Sequence, residues 1–124
     1  MPNIKLTLTR KITHDQKQAL SNGLTDAVTV IPHKKVIILL IEDAKTFFIA
    51  NKEQEDYALI ELDMCGHFDL DIKSAFAKEA FAVITQVVGT PPDKIGMRIT
   101  EHDAWGGFGD FLEMDKCGDP IFRQ

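Results

Sequence analysis

The chain has 124 residues, 44% of them hydrophobic and 27% charged, with a formal net charge of −5. That length gives one domain with a modest core, near the size where association adds stability. The acidic balance argues against nucleic acid as a partner, no apolar run is long enough to span a bilayer, and Lys5, Arg10 and Lys11 interrupt any signal-like stretch.

The start, Met1-Pro2-Asn3-Ile4, leads directly into a strand in which Ile4, Leu6 and Leu8 alternate with polar residues. Methionine is usually removed before a small residue, so the expectation is a mature chain that opens on the secondary amine of Pro2. An ordinary terminal amine has a pKa of about 7.7–8.0, and burial lowers it by disfavouring the charged form. Such an amine is a general base poised near neutrality. Thr13-His14-Asp15-Gln16 then reads as a capping box. Leu20, Leu24, Ala27, Val28 and Ile31 recur at helical spacing, and Pro32 is expected to end the helix. Val36 to Ile41 is almost continuously apolar, which predicts a strand buried on both faces, mid-sheet or against a partner chain.

An irregular connector follows, in which Phe47-Phe48-Ile49 reads as a short strand or a packed loop. The next strand is Tyr57 to Met64. Asp69 and Asp71 read as caps of a second helix from about Ile72 to Val88, closed by Gly89. Thr90 to Asp93 turns the chain into a last strand, Lys94 to Glu101, expected to be central. The tail, with Trp105, Phe108 and Phe111, shows no period. Cys65 and Cys117 fit a reduced, cytoplasmic protein better than a disulfide framework, and Cys65 reads as a small apolar strand residue. Cys65-Gly66-His67 lacks the second ligand pair that zinc needs, so no metal site is expected.

The two halves are self-similar at an offset of 59 residues: Pro32 to Val36 lies over Pro91 to Ile95, and Glu42 over Glu101. The predicted organisation is a β-α-β unit (1–43), a connector (44–56), a second β-α-β unit (57–102) and a tail (103–124). The fold class is ferredoxin-like α+β, a four-stranded mixed sheet with two helices on one face. The other face needs cover, and association of subunits is the simplest cover.

Pro2 opening strand one, the Ala58-Leu59 strand reaching Gly66, Pro91-Pro92-Asp93-Lys94-Ile95 before the last strand and the Trp105-to-Phe108 tail together resemble the tautomerase superfamily. The chain length points to members like macrophage migration inhibitory factor. The resemblance runs from Met1 to about Phe111. It implies a homotrimer with a site at each subunit interface, and a Pro2 that moves a proton between carbon and oxygen of an enolisable carbonyl compound without metal or cofactor. Several positions depart from the family pattern. Ile37 stands where short tautomerases carry arginine. Gly96 and Arg98 stand where other members carry tyrosine and asparagine. Gly66-His67-Phe68 replaces the paired arginines of malonate semialdehyde decarboxylases. A basic residue after strand one is kept in kind as Arg10 or Lys11.

Enolate chemistry needs a base, a donor for the developing oxyanion and a cation for a substrate carboxylate. Arg98 is the first candidate cation because a guanidinium binds carboxylates bidentately; an intersubunit salt bridge is the competing role. Lys35, on the face of Ile37, is the second, against a plain solvated lysine. Phe48, Trp105 and Phe108 are candidate apolar walls that dry the site, against simple subunit packing. The expected function is a cytoplasmic tautomerase or isomerase of an enol or keto acid such as phenylpyruvate, with Pro2 as base. A non-enzymatic binding module is the rival, and a superfamily hydratase or decarboxylase a third reading.

Overall fold

In the computed structural model, residues 1–107 and 109–113 are described. Strand β1 (Asn3–Leu8) leads to helix α1 (His14–Val28) and strand β2 (Ile38–Glu42). Two short strands, β3 (Phe48–Ile49) and β4 (Lys52–Glu53), precede β5 (Ala58–Cys65), helix α2 (Leu70–Val88) and β6 (Ile95–His102). A final hairpin pairs β7 (Ala104–Gly107) with β8 (Asp110–Glu113).

The four long strands form one mixed sheet in the order β2-β1-β5-β6, with β1/β2 and β5/β6 parallel and β1/β5 antiparallel. This is the expected pair of β-α-β units. Alternation divides the sheet into two faces. Ile4, Leu6, Leu8, Ala58, Ile60, Leu62 and Met64 are buried in one core with Leu20, Leu24, Val28, Phe76, Ala80 and Ile84 of the helices. Asn3, Lys5, Ile38 and Leu40 fall on the open face and are exposed.

Local chemistry fixes the helices where the sequence places them. Thr13 caps α1: its hydroxyl accepts from the Gln16 N–H at 3.1 Å, and the Gln16 side chain accepts from the Thr13 N–H at 2.9 Å. Helix α1 ends at Val28, ahead of Pro32. Gly89 closes α2 in the left-handed region (φ 90°), where glycine carries no Cβ penalty. Asp69 holds the N-cap position of α2 without a side-chain capping bond. Gly23 lets the helices approach: a Cβ there would lie 2.6 Å from Val83 Cγ1.

Four expectations change. Strands β2 and β6 are both edges of this chain's sheet, not central, so the apolar run of β2 leaves Ile38 and Leu40 each 52% exposed. The connector contains the β3–β4 hairpin, turned by Ala50 and Asn51 with positive φ at both, as type I′ turns require. The tail contains the β7–β8 hairpin, which the sequence pattern did not reveal. Cys65 is disulfide-bonded and 2% exposed, not the reduced strand residue expected; Cys117 and Phe108 lie outside the described residues. Among the described residues no helix is long and apolar enough to cross a membrane.

Candidate active site

Pro2 is buried, and its carbonyl accepts the Ile38 N–H at 2.9 Å, so β1 carries its pairing to the start of the chain. Asn3 lies between Ile38 and Asp63. Extending that register by two residues places Pro2 between Ile37 and Met64, and Met1 between Val36 and Cys65. Met1 is 9% exposed in this arrangement. Its removal would leave the Pro2 nitrogen facing the space between the ends of β2 and β5.

The basic residue that the fold buries at this end is Lys34, which the sequence reading passed over in favour of Lys35. Lys34 is 2% exposed, donates from Nζ to the Cys65 carbonyl at 3.1 Å and lies 5.9 Å from the Phe68 ring centroid. Lys35 is exposed and precedes β2. The positive φ of His33 (66°) turns the chain just before Lys34, ahead of the start of β2. Lys34 sits between His33 and Lys35, a polar stretch that carries no sequence mark of burial, and only the tertiary fold reveals it.

A polar brace holds the neighbouring loop. Glu101 Oε2 accepts the Phe68 N–H at 2.7 Å, and Glu101 Oε1 accepts from Lys73 Nζ at 2.8 Å. Gly66, at φ +102°, makes the turn, and its N–H donates to the His102 carbonyl at 2.8 Å. Burial pushes the Glu101 carboxyl up, but the Lys73 hydrogen bond, the Phe68 N–H and the nearby Lys73 and His67 charges outweigh it and hold the pKa below the usual glutamate value. A depressed carboxylate stabilises the fold fully above its unfolded pKa and loses that contribution as pH falls through the folded value. Wild type should therefore melt above Glu101→Gln at pH 7, and the gap should close below about pH 4, the ordinary glutamate range. Thermal melts at the two pH values check this; a gap independent of pH would contradict it.

Trp105 reaches the same end, packing edge-on against His102 with ring centroids 5.4 Å apart, and His102 Nε2 lies 2.9 Å from Asp63 Oδ1. Pro2 and Trp105 are therefore at one end of the sheet. Arg98 and Phe48 are not with them. Arg98 pairs in register with Glu61, itself opposite Lys5, and its Nη2 lies 2.9 Å from Glu61 Oε2. It is three residues along and two strands across from Pro2, on the opposite face. At about 3.3 Å per residue and 4.8 Å per strand, that separates the two Cα atoms by roughly 14 Å. The salt bridge foreseen for Arg98 lies within the chain. Phe48 is 66% exposed on the β3–β4 hairpin, which follows the Leu8 end of the sheet, where Lys45 N–H bonds the Leu8 carbonyl. Arg10 is committed elsewhere: it grips Asp56 at 2.7 and 3.1 Å and donates to the Val88 carbonyl at 2.9 Å, capping α2.

The second half of the chain holds a feature absent from the sequence reading. A Cβ at Gly96 would run into the Tyr57 hydroxyl and lie 3.3 Å from Leu59 Cδ1. The bare backbone at position 96 is thus covered by the phenol of the residue just before β5, and that ring packs on Phe47 at 4.9 Å. Within one chain, Pro2, Lys34 and Trp105 thus lie at one end of the sheet, while Tyr57 and Arg98 lie by its open face. Among the described residues no three His, Cys, Asp or Glu side chains group as a metal would need.

No family model matches the sequence, nor does any curated protein. Solved structures do match. Leishmania major MIF2 superposes with a TM-score of 0.82 at 13% identity, over 90% of this chain and 97% of that one. The wild-type symmetric trimer of a fused 4-OT gives 0.76 at 20% identity, over 94% and 99%. The chain has the tautomerase-superfamily fold. Another protein of this fold, N1, a member of the cis-3-chloroacrylic acid dehalogenase family, gives 0.77 at 16% identity over 89% and 82%. These matches cover 89–94% of this chain.

Proposed function

We propose that this chain is a cofactor-independent tautomerase that interconverts the enol and keto forms of a 2-oxo acid, with Pro2 as general base once Met1 is removed. The observation that carries the reading is the placement of Pro2: buried, locked by the Ile38 N–H at the head of a central strand, at the sheet end that also gathers Lys34 and Trp105. Burial at this end of the sheet disfavours a charged amine, which suits a secondary amine that acts as a base. In ketonisation the neutral amine takes the proton of the enol hydroxyl and becomes ammonium, the C=C electron pair then takes a proton from that ammonium at carbon as the C=O forms, and the amine ends neutral. One proton moves from oxygen to carbon, and nothing is oxidised or reduced.

The carboxylate of such a substrate needs a cation, and Arg98 lies too far from Pro2 within one chain. We infer that a homotrimer brings Arg98 of one subunit to Pro2 of the next, with the open sheet faces turned inward. A symmetric trimer among the similar structures supports the trimeric state of this reading. The test is ketonisation of enol-phenylpyruvate by protein whose intact mass shows Met1 removed; a Met1-free protein without activity on enol acids contradicts the reading. Met1 packed in place at 9% exposed favours a second reading, a binding module without catalysis. A mass that retains Met1 in the native protein would select it.

A further inference from the structure

We propose that Tyr57 and Arg98 together form an oxyanion-binding pair that holds the carboxylate or enolate oxygen of the substrate. The inference deepens the tautomerase reading and rests on it for the identity of the ligand. Three observations carry it. Tyr57 is held in place: its N–H donates to Thr9 Oγ1 at 2.9 Å, its carbonyl accepts the Thr9 N–H at 3.1 Å, and its ring packs on Phe47. The hydroxyl that this brings to Gly96 has no hydrogen-bond partner among the described residues. Arg98 then follows two residues after Gly96, on the same face of β6 and about 6.6 Å along it.

The two groups differ in a useful way. The guanidinium supplies charge and a planar fork, but one of its nitrogens already meets Glu61. The phenol supplies a neutral donor on a half-buried, apolar bed of Phe47 and Leu59, where a hydrogen bond to an anion is stronger than in water. A substrate oxygen between them receives a charge-assisted bond from one side and an O–H bond from the other. Gly96 is the residue that makes this possible, because any side chain there evicts the hydroxyl. The glycine and the tyrosine therefore act as one unit.

That coupling supplies the test. Tyr57→Phe should lower kcat/KM for enol-phenylpyruvate about 10–100-fold, the usual range for a lost oxyanion donor. The melting temperature should stay put, since the hydroxyl has no partner to lose. Gly96→Ala should give a similar loss, and Tyr57→Phe/Gly96→Ala should be no worse than either alone. Calorimetric binding of 3-phenylpropanoate, which cannot tautomerise, reads the same pair without catalysis. If wild type binds this probe, and Tyr57→Phe and Arg98→Ala each weaken binding while no enol acid is turned over, the proline mechanism fails and the pair stands. Full kcat/KM and full probe affinity in Tyr57→Phe would overturn the pair. So would losses that multiply in the double variant, or no probe binding by wild type.

Discussion

Pro2→Ala should abolish most of the tautomerase activity while leaving the fold intact. Alanine after Met1 is still small enough for methionine removal, so the variant keeps a free terminal amine. What changes is its character: a primary amine on an unlocked φ replaces a secondary amine held in a ring. Loss of a positioned general base typically lowers rate by about 10²–10⁴-fold. Pro2 donates no backbone hydrogen bond, and its carbonyl bond to Ile38 is available to any residue, so the melting temperature should move little. Steady-state kinetics with an enol acid, beside a thermal melt, separate the outcomes. Undiminished kcat in Pro2→Ala would mean that proton transfer belongs to another group.

The second large effect concerns assembly. Ile38 and Leu40 point from edge strand β2 onto the open face, each 52% exposed in the single chain. Fully burying such a side chain contributes about 1.5–3 kcal/mol, and a trimer counts the contact three times. Replacing both by lysine removes that burial and places unpaired ammonium groups where desolvation costs several kcal/mol. Ile38→Lys/Leu40→Lys should sediment as the 13.9 kDa monomer, keep its circular dichroism, and lose activity about as completely as Pro2→Ala. A variant that still sediments as the parent assembly would place these residues outside the interface.

How far the sequence carries can be read from particular residues. The capping box at Thr13 and the αL stop at Gly89 were legible because their chemistry is local, closed within a few residues. The helix periods and the 59-residue self-similarity gave the two β-α-β units for the same reason. The position of β2 was not legible: an apolar run looks alike whether a strand lies mid-sheet or at an edge against another chain. Lys34 and Lys35 could not be told apart by alternation, because the left-handed turn at His33 breaks the period just before them. Tyr57 was missed because its relation to Gly96 crosses 39 residues, and neither residue type signals the other. Arg98 shares the face of Gly96, as strand alternation predicts, but its distance from Pro2 within one chain was not legible, because it depends on the strand order and register.

Subunit complementation tests the central claim most directly. Pro2→Ala and Arg98→Ala each spoil every site of a homotrimer, one through the base and the other through the cation. If each site takes Pro2 from one subunit and Arg98 from the next, co-expressed variants form mixed trimers in which about a quarter of the sites contain both native residues. The account predicts that co-expression restores about that fraction of wild-type activity, while the purified variants mixed without exchange stay inactive. Mixed trimers no more active than their parents would contradict it, and would confine the chemistry to a single chain.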